Sequence, residues 1–203
     1  MKKLIVLCFV ALASVAFKPA EPGYKVGDTA TDFKLKNVNG KMVSLANYKS
    51  AKGFLVVFTC NHCPYAKAYE TRIMELDKMY ASKGYPVIAI SPNDPVAEPA
   101  DSFENMQKRA TEKHYSFPYL IDETQDVTRA YGAKATPHVY LLQKTASGNV
   151  VKYVGAIDDD TQGTNASRTN YVQNAVNALL AGKQPEVTST KAIGCTIKWK
   201  KSA

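Results

Sequence analysis

The chain alternates between short apolar runs and segments with helical spacing, which predicts a layered α/β fold. Asp32-Phe33-Lys34-Leu35 and Met42-Val43-Ser44-Leu45 alternate around Asn39-Gly40, a hairpin signal. Gly53 opens Phe54-Leu55-Val56-Val57-Phe58, a continuous apolar run of the kind found in central strands. Ala66, Tyr69, Ile73, Leu76 and Tyr80 then recur at helical spacing, and Lys83-Gly84 ends the pattern. Val87-Ile88-Ala89-Ile90 reads as a second buried strand, so strand, helix and strand predict a right-handed parallel crossover.

After Pro92, Pro95 and Pro99 the spacing of Phe103, Met106 and Ala110 predicts another helix. Tyr119-Leu120-Ile121-Asp122 reads as a short strand, and Val127, Ala130 and Tyr131 as a short helix ending at Gly132. Val139 to Leu142 and Val150 to Val154 form an expected hairpin joined by Ala146-Ser147-Gly148-Asn149. Tyr171, Val172, Ala175, Leu179 and Leu180 predict a last helix closed by Gly182. The expected organisation is one domain over 22–182 and a C-terminal arm over 183–203 that carries Cys195.

The N-terminus reads differently. Lys2 and Lys3 precede an apolar run from Leu4 to Phe17 with small residues near its end, the pattern of a secretory signal peptide over 1–16. Cleavage is expected between residues 16 and 20, which places the mature protein in the periplasm or cell envelope, or outside the cell. Cys8 lies inside the run, so three cysteines remain for an oxidising compartment: Cys60, Cys63 and Cys195.

The rest of the composition is ordinary. The chain has 203 residues, 45% of them hydrophobic and 22% charged, which excludes a disordered or collagenous protein. Its formal charge of +8 comes from lysines spread along the chain, with no nucleic-acid-binding motif beside them. No nucleic-acid partner is therefore expected. Lys198, Lys200 and Lys201 form a small basic tail, peripheral membrane association stays open, and the sequence assigns no oligomeric state. Asp158-Asp159-Asp160 reads as an exposed turn rather than a cation site.

Chemistry concentrates in Thr59-Cys60-Asn61-His62-Cys63-Pro64, between a buried strand and an amphipathic helix. Pro64 suits a first helical position. Cysteines three apart on a helical turn have α-carbons about 5 Å apart, inside the disulfide range. Cys60 is expected where free backbone N–H groups and the helix dipole converge, which lowers a thiol pKa. A protonated His62 would add to this, placing the disulfide toward the oxidising end of the range, near about −120 mV. Asn61 and His62 are the tuning residues. The alternative for the same cysteines is a copper protein with Cys60, Cys63 and His138 as soft ligands. The redox reading needs no cofactor.

The mature chain resembles the thioredoxin-fold redoxins, the group that contains peroxiredoxins and exported thiol–disulfide proteins. Val26 to Phe33 is similar to their opening segment, Asn39 to Leu45 to the following hairpin, and Ala135 to Leu141 to their threonine–proline strand entry. Gly194 to Trp199 resembles the Gly-Cys-x-Ile-Lys-Trp tail of a peroxiredoxin-like subgroup with this cysteine pair. The resemblance implies a thioredoxin-like α/β/α sandwich with a central mixed sheet and an N-terminal β-hairpin. It also implies Cys60 as attacking thiol, Cys63 as resolving thiol, and Pro137 as a cis-proline facing them. Thr136 would offer its backbone to an extended substrate. The proline and threonine that peroxiredoxins carry four and three residues before their peroxide-reacting cysteine are absent, since Val56 and Val57 precede Cys60 and Thr59 and Cys60 precede Cys63. Phe54 to Phe58 also lacks the buried acid of many thioredoxins.

The first expectation is therefore an exported thiol–disulfide oxidoreductase acting on protein or small-molecule thiols and disulfides. A thiol peroxidase using Cys60 on peroxides is the second. Cys195 is either a third redox cysteine closing on Cys60 or Cys63, or an inert thiol beside Ile197 and Trp199.

Overall fold

The computed structural model describes residues 23–201. The signal peptide expected over 1–16 lies outside the described residues. The expected hairpin forms from β2 (Leu35–Asn37) and β3 (Met42–Val43), after a short β1 (Thr29–Ala30), with Gly40 at φ 82° in the turn. β4 (Gly53–Phe58) is buried at every position, as its unbroken apolar run requires. It leads through α1 (Pro64–Tyr80) to β5 (Val87–Ser91), and α2 (Phe103–Glu112) leads on to β6 (Tyr119–Ile121). β4, β5 and β6 lie parallel. A short α3 (Asp126–Tyr131) ends at Gly132 (φ 70°), and β7 (Ala135–Thr136) follows. β8 (His138–Thr145) and β9 (Gly148–Gly155) then form an antiparallel hairpin, and α4 (Tyr171–Leu180) and β10 (Cys195–Thr196) complete the fold.

The main sheet has the order β1-β9-β8-β4-β5-β6-β2-β3, and β7 and β10 form a separate two-stranded ladder. This is a thioredoxin-like α/β fold with a mixed central sheet. The β8–β9 strands are longer than their apolar runs suggest and reach Thr145 and Gly148, so only Ala146 and Ser147 form the turn. Polar residues near the ends of a ladder still bond through the backbone, and apolar periodicity does not register them.

The two faces of the sheet are covered unequally. On one, Tyr69, Ile73, Leu76 and Tyr80 of α1, Met106 of α2 and Val172, Ala175, Val176 and Leu179 of α4 form one core. The other is covered by Phe33, Leu45, Tyr131 and Ala133, with Ile197 from the C-terminal arm. At 5% exposure Ile197 is part of that core, so the arm completes a layer that helices leave thin.

Asp158 corrects the reading of Asp158-Asp159-Asp160 as an exposed turn. It is 1% exposed and accepts hydrogen bonds from Arg72 Nη1 at 2.6 and 2.8 Å and from the Tyr69 hydroxyl at 3.0 Å. A buried carboxylate needs such partners, and the charge run concealed that only its first member is buried.

Candidate active site

The parallel strands place the site at their carboxyl edge. β4 and β5 stay in register to their ends, with the Thr59 N–H donating to the Ile90 carbonyl at 2.9 Å. The loops after these strands therefore meet, bringing Cys60 to Cys63 beside the proline-rich segment around Asp101. Pro64 occupies the first turn of α1, as the sequence predicts, but Cys63 is the extended N-cap, so Cys60 and Cys63 precede the helix instead of sharing a helical turn.

Asp101 ends a single 3-10 turn (Pro99–Asp101) and is fully buried. One carboxylate oxygen accepts the backbone N–H groups of Asn61 at 2.7 Å and His62 at 3.1 Å. The other accepts from His62 Nδ1 and Asn93 Nδ2, both at 2.6 Å. His62 Nε2 faces Glu98 at 3.7 Å. Asn61 is tied at both ends of its amide: Nδ2 donates to the Ala100 carbonyl at 3.1 Å, and Oδ1 accepts from the Tyr119 hydroxyl at 3.1 Å. The two residues between the cysteines thus hold the loop against the Pro99–Asp101 turn.

The Thr136–Pro137 peptide bond is cis, as the resemblance implies. Thr136 faces the cysteines directly: its Oγ1 lies 3.2 Å from Cys60 Sγ, and its carbonyl oxygen 3.3 Å from Cys63 Sγ. Its backbone is already taken, because Cys195 pairs with Thr136 and Thr196 with Ala135. The arm therefore lies along the edge where the resemblance puts an extended substrate.

Cys63 is bonded to Cys195 in a disulfide with a Cα–Cα distance of 6.0 Å, across 132 residues of sequence. Cys60 is the free thiol among the described cysteines, packed in the same small cluster. Of the two ways to read Cys195, the structure has it bonded rather than as an inert buried thiol.

The pKa of Cys60 also departs from expectation. Burial pushes the thiol up to about 11, and the negative charge of Asp101 adds to the rise. The Thr136 hydroxyl and the backbone N–H groups of Cys63 and His62 oppose it without prevailing. The helix-terminus argument names real donors but leaves out desolvation, which dominates at 4% exposure. His62 does lie 3.6 Å from the sulfur, but the same nitrogen faces the Asp101 carboxylate, whose charge favours the neutral thiol. Behind Cys60 a cavity of only about 10 Å³ remains between Thr59, Glu70 and Tyr115. That is scarcely one water molecule.

The structure does not gather the copper set. Cys63 is engaged with Cys195, and the His138 ring packs on Tyr140 with centroids 4.9 Å apart. His138 borders a separate hollow of about 610 Å³ that holds none of the three sulfurs. Among the described residues, Cys60, His62 and Asp101 instead bring ligand atoms within 4.8 Å of one another. Hydrogen bonds already occupy both Asp101 oxygens, so this trio is a hydrogen-bonded cluster rather than an open coordination site.

Asp101, Asn93 and Glu98 are the residues that sequence reasoning missed. One signal was present: they follow the second parallel strand, whose carboxyl end adjoins that of the strand before the cysteines.

The comparisons agree with this geometry. The AhpC/TSA family model matches residues 26–154. The thiol-disulfide oxidoreductase ResA of Geobacillus thermodenitrificans is 29% identical over 129 residues, covering 64% of this chain and 68% of the relative. A Mycobacterium tuberculosis protein named as a peroxiredoxin is 27% identical over 134 residues, covering 66% and 78%. The crystal structure of an uncharacterized conserved protein from Geobacillus kaustophilus superposes with a TM-score of 0.80 at 38% identity, covering 88% of this chain and 94% of that one. A hypothetical protein from Sinorhizobium meliloti 1021 gives 0.81 at 33% identity, covering 89% and 97%. With the family match spanning the opening strand, the cysteine loop and the cis-proline hairpin, this chain belongs to the AhpC/TSA family of redoxins, a family of thiol-dependent oxidoreductases.

Proposed function

We propose that this protein is an exported thiol–disulfide oxidoreductase in which Cys60, Cys63 and Cys195 exchange disulfides through Cys63. The observation that carries the reading is one free thiol, Cys60, packed in a single cluster with the Cys63–Cys195 disulfide. The Cys60 thiol gives up its proton and its sulfur attacks Cys63; the Cys60–Cys63 bond forms, the Cys63–Cys195 bond breaks, and Cys195 leaves as a thiolate and takes a proton. No external oxidant is needed for that step. The direction of net electron flow follows from the partner's potential.

Export rests on the N-terminal pattern of Lys2, Lys3 and the apolar run after them. Among the described residues no helix is long and apolar enough to cross a membrane. The peroxidase alternative has less in its favour. Peroxide has to reach the attacking sulfur, and Cys60 is 4% exposed with a cavity of only about 10 Å³ beside it, whereas Cys63 already lies in the same cluster.

Catalysed exchange between reduced glutathione and a chromogenic disulfide tests the proposal. The full chain should accelerate it, and Cys63→Ser should abolish the acceleration. A protein that leaves this exchange at its uncatalysed rate yet consumes hydrogen peroxide far faster than a free thiol is a peroxidase instead.

A further inference from the structure

An extended polypeptide binds an exposed strand edge by adding a strand of its own. Here the edge beside the cis-proline is occupied from within the chain. Cys195 and Thr196 pair antiparallel with Thr136 and Ala135. The approach is close enough at Gly194 that a Cβ there would collide with the Thr136 carbonyl.

The next residues are clamped by buried amides. The Lys198 N–H donates to Asn93 Oδ1 at 2.8 Å, and its carbonyl accepts from the Asp94 N–H at 2.8 Å and from Gln125 Nε2 at 2.9 Å. The Lys200 N–H donates to Gln125 Oε1 at 2.9 Å. Asn93 and Gln125 are 2% and 0% exposed; Asn93 Oδ1 and both ends of the Gln125 amide meet the backbone of the arm. Ile197 is buried in the second core, and Trp199 lies under the Arg129 guanidinium. An arm held by a ladder, four such hydrogen bonds and a core side chain is a built part of the site.

We propose that residues 194–200 are a resident arm whose strand, Cys195–Thr196, fills the polypeptide-binding edge, so that the substrates are small thiols and disulfides which meet the protein at Cys195. This rests on the thiol–disulfide reading above. Cys195 is half-buried, whereas Cys60 and Cys63 are 4% and 0% exposed. Access decides which sulfur of a disulfide is attacked.

A small thiolate attacks Cys195 Sγ, forming a bond between the two sulfurs. The Cys63–Cys195 bond breaks, and Cys63 leaves as a thiolate and is protonated. A second small thiolate then attacks the substrate sulfur of the mixed disulfide, releasing a small disulfide and the Cys195 thiolate, which is protonated in turn. Two electrons pass from two small thiols to one protein disulfide, and the reverse sequence reduces a small disulfide.

The test follows reduction of the Cys63–Cys195 disulfide by two probes, glutathione and an unstructured single-cysteine peptide of matched thiol pKa. The full chain is compared with Gly194→Ala, which lifts the arm off Thr136, and Ile197→Ser, which loosens its anchor. In the unaltered protein the peptide should react no faster than glutathione. Each variant should raise the peptide-to-glutathione rate ratio by about tenfold or more, because freeing the edge raises the fraction of molecules able to take the peptide.

A peptide that outpaces glutathione tenfold in the unaltered protein overturns the proposal, since polypeptides would then be recognised with the arm in place. An unchanged ratio in both variants also overturns it. If neither probe reduces the disulfide in any form, the thiol–disulfide reading itself fails. The unaltered-protein comparison stands even if a variant does not fold.

Discussion

Asp101 and His62 are joined by a 2.6 Å contact between a fully buried carboxylate and a ring nitrogen that also lies 3.6 Å from the Cys60 sulfur. The same carboxylate accepts the backbone N–H groups of Asn61 and His62. One side chain therefore shapes the loop between the cysteines and biases the protonation of the thiol beside it.

Asp101→Asn should lower the Cys60 pKa, because it removes a negative charge that favours the neutral thiol. It should also destabilise the protein by about 1–3 kcal/mol, since an amide cannot accept all four donors. The pH dependence of Cys60 alkylation, read by mass spectrometry, checks the first part. In the unaltered protein the rate should climb toward a midpoint of about 11. A midpoint below 8 would restore the helix-terminus expectation.

A protonated Cys60 bears on the redox potential. Stabilising a thiolate favours the reduced form and makes a disulfide more oxidising. A thiol raised to about 11 removes that contribution. The potential of the Cys60–Cys63 couple should then lie well below about −120 mV, toward thioredoxin's about −270 mV. A glutathione titration decides between them, and a value around −120 mV would mean that Cys60 is a thiolate when reduced.

His138 supplies a pH-dependent stability. Burial, with Lys134 nearby, lowers its pKa from 6.5 to about 4. The neutral ring is the buried form, so its stabilisation is complete above 6.5 and is lost as pH falls through about 4. The loss approaches about 3 kcal/mol, from a shift of two to three units at 1.36 kcal/mol each. Denaturant unfolding at several pH values should show it, and His138→Gln should flatten that part of the profile.

Arg72→Met should cost about 3–5 kcal/mol, the penalty for leaving a buried carboxylate without its main partner. Asp158 is 1% exposed and would keep the Tyr69 hydroxyl at 3.0 Å, the Asp160 N–H at 3.0 Å and Arg168 at 3.7 Å, none of which replaces the close guanidinium. A melting temperature within a degree of the unaltered protein would contradict this reading.

The fold was legible in the sequence where one residue pattern decides one element. Phe54 to Phe58 can only be a central strand once Gly53 and the cysteine loop bound it, and Tyr69, Ile73, Leu76 and Tyr80 define one face of α1. The cis-proline came through resemblance, because nothing in the pattern of Ala135 to Tyr140 specifies an isomer. What local reasoning lost was tertiary. Asp101 lies 39 residues from His62, and it matters only because two strand ends meet. The bond of Cys63 to Cys195 spans 132 residues and depends on the arm's register against Thr136. The rise in the Cys60 pKa depends on what covers the loop, which helix-end chemistry does not include.

Disulfide exchange through Cys63 is tested most directly by equilibrating the native protein in glutathione buffers of graded ratio, quenching with acid and alkylating the free thiols. Peptide mapping should then find Cys63–Cys195 and Cys60–Cys63 in amounts that shift together with the buffer ratio, each species containing Cys63. A Cys63–Cys195 disulfide that persists unchanged across the whole series, with Cys60 always alkylated alone, would make it a structural staple and contradict exchange at this site.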